Sequence, residues 1–405
     1  MSGWTLLLTA SLLTGQAAEP PRFEVRGTFG VVAGSAIEGI DDGFTVRLRG
    51  GKSVGEKELV SLHRLGIATP AVPLGRSVTL TSGDHLKLDA DGTLQLEEET
   101  LRFDLPKSLA TPKSLPVNIR ATAVSMLWFA APEQEDRPRE LQHRVEHGLR
   151  KQDLVGLREG DRVEGSLVSL SSTTASIKAG TRRLEVPAKQ VAFVAFNTQW
   201  QSKPRLKRPY ALVVLEDGSR LTLATMHWKG DSDPVTGKTL WGAEVQFSIS
   251  RLIALFVKQG AATYVSDLEP STQSEGYVGF SWPLGRNAMP RGGPLVLKDE
   301  TIDFGLGAHA RTTATYKLDR SYRTFEALVG MPAGIDPRAR VRFRVLKDGK
   351  AVDGVPDRDW SPTDGPMWIR SDLRGARELT LVTDFGGFGD VEARGIWGFA
   401  RLLSE

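Results

Sequence analysis

From Phe23 to Val257 the chain alternates apolar and polar residues at period two. The alternation comes in short runs closed by glycine-containing turns. The runs fall into four similar copies of about fifty to sixty residues. Each copy opens on an apolar strand, passes a Gly or Asp-Gly turn, continues through two or three alternating strands and closes on an apolar run. The first goes from Glu24-Val25 past Asp42-Gly43 to Leu59-Val60-Ser61-Leu62. The second starts at Ser77-Val78-Thr79-Leu80 and turns at Ser82-Gly83-Asp84. It closes on Val124 to Phe129. The third runs from Leu154-Val155-Gly156-Leu157, past Glu159-Gly160-Asp161, to Val191 to Phe196. The fourth runs from Leu212-Val213-Val214-Leu215, past Asp217-Gly218-Ser219, to Leu252 to Val257. About five short strands suit a small barrel-like or curled-sheet unit. One such unit has little core of its own, so neighbours are expected to pack together.

A helical segment interrupts the copies, starting near Asp136 and Pro138 and stopping by Gly148. It carries His143-Arg144-Val145-Glu146-His147, which fits the H-x-x-E-H pattern of the inverted zinc peptidases. Two imidazoles one turn apart could share a zinc, with the glutamate as general base. Leu141, Val145 and Leu149 form a stripe at four-residue spacing, so the pattern predicts that this stripe faces the core and both histidines face water. A charged surface connector over 132–150 is the reading preferred on that pattern. A metal-dependent hydrolase using His143, Glu146 and His147 is the minor alternative.

The composition changes from Tyr264 onward, and half of the 30 Phe, Trp and Tyr residues lie in this last third. Strand-like runs are Tyr277 to Phe280, Leu295-Val296-Leu297, Ala314 to Leu318, Thr324 to Val329, Val341 to Leu346 and Glu378 to Thr383. They read as a β-sandwich, expected to be a jelly roll. Between the second and third runs, Gly305-Leu306-Gly307-Ala308-His309-Ala310-Arg311 gathers small residues around one histidine. This reads as a tight bend whose backbone is closely approached by another segment.

The order Tyr264-Val265-Ser266-Asp267-Leu268, Trp282-Pro283, Gly292-Gly293-Pro294-Leu295 and Gly305 to Ala310 resembles the NPCBM domain. So do Tyr322-Arg323-Thr324-Phe325, Val341 to Leu346 with Lys347-Asp348-Gly349, and Asp384-Phe385-Gly386-Gly387 to Trp397. The resemblance covers 264–405 and implies a carbohydrate-binding jelly-roll module of the kind often attached to bacterial glycoside hydrolases. Where members tend to carry an Asp-His pair before the final tryptophan, this chain has Ala393 and Arg394. The resemblance also implies a structural calcium, with Asp384 and Asp390 as its carboxylates. Sugar recognition needs a ring to stack on and planar polar groups for hydroxyls. Trp360, Trp368, Asp359 and Asp364 supply those types close together, and His309 and Arg311 offer a second polar set.

The N-terminus reads as an export signal over 1–18. An apolar core from Leu6 to Leu13 is too short to span a bilayer, and Gly15-Gln16-Ala17 supplies small residues at the cleavage positions. No Lys or Arg precedes that core. Cysteine is absent, which removes thiol catalysis, thiolate metal sites and disulfides. The formal net charge of +3 makes no electrostatic case for nucleic acid. Lys203 to Arg208 is read as a solvated linker. The expectation is an exported, all-β protein: two small β units over 22–131, the connector, two more over 151–260, then a C-terminal sandwich that binds glycan or polysaccharide without catalysis. A scaffold or envelope protein that binds a protein partner is the alternative from another class.

Overall fold

The computed structural model describes residues 21–404, apart from 205, 207, 231–232, 275–280 and 320. The export signal and the run Tyr277 to Phe280 therefore lie outside the described residues. The regular structure of the described residues is nearly all strand, with one α-helix at Pro138–His147 and four short 3₁₀ turns.

Four curled β units share one construction. In each, the first strand pairs antiparallel with both the second and the last: Arg22–Gly27 with Gly30–Ile40 and Leu59–Arg64, and Ser77–Leu80 with His85–Lys87 and Val124–Trp128. The same holds for Asp153–Leu157 with Arg162–Leu170 and Val191–Ala195, and for Tyr210–Leu215 with Arg220–His227 and Leu252–Lys258. The turn after the first strand places Gly30, Gly83, Gly160 and Gly218 at φ between 82° and 114°. A side chain there would be strained, which is why the turn is written with glycine each time. A single 3₁₀ turn precedes the last strand of the second, third and fourth units.

The units pair through their last strands, and the pairing is nested. The second joins the third through Met126–Trp128 against Phe193–Ala195. The first joins the fourth through Ser61–His63 against Ala254–Phe256. One apolar core runs continuously from Phe23 to Val257 through all four.

The last third is a β-sandwich. One sheet has the order Gly285–Arg286, Gly305–His309, Arg394–Ser404, Tyr322–Gly330, Met367–Asp372, with Ala262–Tyr264 also on Arg394–Ser404. The other has Ser271–Ser274, Thr312–Lys317, Glu378–Phe385, Val341–Lys347, Lys350–Ala351. Residues alternate across the first sheet. Leu306, Phe325, Ala327, Val329, Trp397 and Leu402 face the second sheet and meet Tyr316, Phe343, Val345 and Leu381. Leu328, Ile396 and Phe399 face the other way, onto Leu212, Ile253 and Phe256 of the fourth unit.

The sandwich is therefore docked by a whole sheet face. Polar contacts reinforce the seam. Arg220 meets Asp303 at 3.0 Å, and Thr69 donates to Glu300 at 3.1 Å.

Gly305 to His309 is a strand rather than the expected bend, and all five residues are buried. The turn comes afterwards, at Arg311 with φ 62°. The small residues serve close packing: a Cβ on Gly305 would run into the Trp397 carbonyl, and one on Gly307 into that of Ala288.

Candidate functional site

Strand Gly305–His309 ends at one rim of the sandwich, where it is paired with Arg394 at the start of the last strand. His309 is 4% exposed. Its ring stacks flat on Trp282, with centroids 4.8 Å apart and planes 6° apart. The Arg291 guanidinium lies 3.7 Å over the Trp282 ring, so the indole sits between a fixed imidazole and an exposed, movable cation. Asp390, on the loop after Glu378–Phe385, brings Oδ1 to 3.4 Å from His309 Nδ1. Burial pushes the His309 imidazole down, against the pull of Asp390.

Two polar atoms at this rim are buried without a hydrogen-bond partner: Asp390 Oδ1 and Arg394 Nε. Arg394 spends another nitrogen on Glu392 at 2.9 Å. An acceptor and a donor left unmet beside a stacked aromatic pair are what a sugar hydroxyl, itself donor and acceptor, would satisfy.

The loop that carries Asp390 also presents Phe388, which is 58% exposed. Asp359 braces it. Its carboxylate accepts from the Gly387 backbone at 2.7 Å and from Arg342 at 2.6 Å, and the Arg342 guanidinium holds it below the usual carboxylate range. Asp359 thus ties two rim loops together. Asp364 closes its own loop, accepting from the Ser361 backbone at 2.8 Å. Arg311 lies exposed on the turn beside His309.

Both tryptophans expected to stack on sugar are placed otherwise. Trp360 is fully buried in the sandwich core, edge-on to Phe343 at 5.7 Å. It offers no face to a ligand, because its strand-like segment bridges Val341 and turns the ring inward. Trp368 lies on the outer face of the first sheet, at the seam. Arg26 covers it at 3.6 Å and Phe399 stacks at 6.1 Å. Sequence alone does not single out Trp282, because its place in the stack depends on His309. Arg394 stands out in the sequence only as a departure from the family pattern.

The two carboxylates assigned to calcium do not fit an oxygen cage. Asp384 is taken by Arg344 and by the Phe385 backbone N–H, while Asp390 lies against His309. Among the described residues no three His, Asp or Glu side chains gather as a metal-binding set.

The H-x-x-E-H segment meets the water-facing expectation at His147, which is exposed, and departs from it at His143, which is half-buried. The helix buries Leu141 and Val145 against Met126, Trp128 and Phe193, but Leu149 lies past the helix end and is 93% exposed. Loops of the sandwich cover the other side. His143 Nε2 donates to the Asn287 carbonyl at 3.0 Å, and burial, with His147 next, pushes its imidazole down to about 4. His147 Nδ1 donates to the His143 carbonyl at 2.9 Å. Glu146 pairs with His85 at 3.1 Å. With His143 Nε2 and Glu146 so engaged, the zinc-peptidase arrangement is not assembled.

The NPCBM/NEW2 domain model matches residues 261–403, so the C-terminal third carries that domain. A Renibacterium salmoninarum protein named "Putative endo-alpha-N-acetylgalactosaminidase" is 28% identical over 144 residues. The match spans 35% of this chain and 9% of that protein, so the chain corresponds to a small part of its relative. Among solved structures, the CBM51 of Clostridium perfringens GH95 in complex with methyl-galactose is 26% identical. That match covers 35% of this chain and 99% of the other, with a TM-score of 0.31. The CBM51-2 and INT domains of Clostridium perfringens ZmpB, solved with GlcNAc, are 21% identical and cover 44% of this chain and 38% of the other, with a TM-score of 0.31. No helix among the described residues is long and apolar enough to cross a membrane.

Proposed function

We propose that this is an exported, non-catalytic carbohydrate-binding protein that grips a saccharide at the rim of its C-terminal sandwich. The observation that carries the reading is the pair of unmet buried groups, Asp390 Oδ1 and Arg394 Nε, beside the Trp282–His309 stack. In this reading a pyranose displaces the Arg291 guanidinium, lays its apolar face on Trp282 and gives hydroxyls to the two unmet atoms. Phe388 borders the site, and Asp359 holds its loop in place. The NPCBM/NEW2 match supports the ligand class. The apolar leader in the sequence supports export.

The test is a glycan array probed with the full chain, followed by titration of any sugar retained. Trp282→Ala removes the stacking face, worth about 0.5–1.5 kcal/mol beyond the area it buries, and is expected to weaken binding roughly tenfold. An array with no retained glycan, or full affinity in Trp282→Ala, would overturn the reading.

A further inference from the structure

A second concavity, of about 580 Å³, opens where the helix meets the fourth unit and the sandwich. The H-x-x-E-H segment that the rim reading leaves unused lines it, as do Arg220, Lys258 and Phe304. Its volume falls within the range of small-molecule sites, roughly 300–1,000 Å³.

Its walls are held by internal pairs. Arg220 meets Asp303 at 3.0 Å, Lys258 meets Asp267 at 2.5 Å, and His85 meets Glu146 at 3.1 Å. Every carboxylate in the lining is thus already answered. The cations are not used up. Arg139 donates one nitrogen to the Val72 carbonyl at 2.9 Å, and neither it nor exposed Lys203 has a carboxylate partner among the described residues. A positive charge therefore remains open to the space.

One polar atom of the lining is also unmet. His143 donates through Nε2, so its Nδ1 is an acceptor, and that atom is buried with no partner. The depressed titration of this imidazole keeps it neutral near pH 7, with the lone pair available. Thr81, Thr222, Thr263 and Tyr210 complete the wall; the hydroxyls of Thr81 and Thr222 already donate to the Ser202 carbonyl and to Asp84, so each can offer only an acceptor. An occupant that answers these groups brings negative charge and O–H donors.

We propose that this cleft binds a small carboxylated polyol, an acidic monosaccharide of the uronic-acid class, between Arg139, Lys203 and His143. The proposal does not depend on the rim reading, since the two places share no named residue.

The probe is glucuronate, titrated calorimetrically into the full chain beside glucose and inorganic phosphate. Saturable binding of glucuronate with no heat from glucose is expected. Arg139→Ala should weaken it about tenfold, the loss of one charge-assisted hydrogen bond, and Lys203→Glu by more, since it also reverses the charge facing the carboxylate. Trp282→Ala should leave it unchanged. His143→Phe, which removes the acceptor, should weaken it as well. Lys203 is exposed, so its variant reports even if the others fail to fold. Three outcomes would overturn the proposal: no glucuronate binding, phosphate binding as tightly as glucuronate, or binding lost in Trp282→Ala and kept in Lys203→Glu.

Discussion

His63 makes the seam between the tandem units and the sandwich sensitive to acid. It lies on the last strand of the first unit, with its ring edge-on to Phe256 at 5.0 Å and to Phe399 at 5.3 Å. Its Nε2 is buried without a partner. Burial first, then the charges of Arg401 and Arg26, push the imidazole down to about 3 from an ordinary 6.5. The folded state therefore resists a proton that the unfolded chain accepts below 6.5. Between those two values the unfolded state binds more protons, so stability falls as pH is lowered. From pH ~7.5 to ~5 the difference is about 2 kcal/mol for a fully buried ring. Because 16% of this side chain still reaches solvent, about 1–2 kcal/mol is expected. Urea unfolding followed by tryptophan fluorescence at the two pH values measures it. His63→Phe keeps an edge-on ring and cannot titrate. His143 is depressed in the same direction, but it is present in both proteins and cancels from their difference. The variant should lose less stability on acidification by that 1–2 kcal/mol. Parallel losses in the two proteins would refute the reasoning.

Trp360→Ala should cost about 3–5 kcal/mol in urea unfolding, as emptying a core aromatic site does. Glycan affinity measured where the variant is still folded should be retained, which separates a core tryptophan from a binding one. Gly307→Ala drives a Cβ into the Ala288 carbonyl and should destabilise by about 1–3 kcal/mol, read as a lowered Tm by calorimetry.

Local chemistry carried far in this chain. Hairpin turns are marked by glycines because positive φ admits little else, and Gly83, Gly160 and Gly218 all stand at such turns. Alternation marks Val341 to Leu346 and Glu378 to Thr383, since each strand has one face on a core. The sandwich itself was legible through a motif order rather than through any single residue. What escaped depends on partners distant in sequence. Trp368 reads like an exposed ring until Arg26, on the first strand, is laid over it. The helix periodicity predicts a wet side because a ten-residue pattern cannot register the loop at Asn287 closing over His143. Trp282 stood within a quoted motif, but only the approach of His309 shows it as part of a stack. Trp360 and Trp368 could not be told from rim residues by type, since large aromatics fill cores as readily as they bind sugars.

The nested pairing of the units has a consequence for biosynthesis. Strand Leu59–Arg64 finds its cross-unit neighbour only when Ala254–Phe256 arrives, roughly 190 residues later. At a synthesis rate of about 5–20 residues per second, that apolar margin waits some ten to forty seconds unpaired. The inner pair, the second and third units, can close during that delay. The first unit must be shielded in the meantime, either by its own curl or by a chaperone, until its partner strand is made.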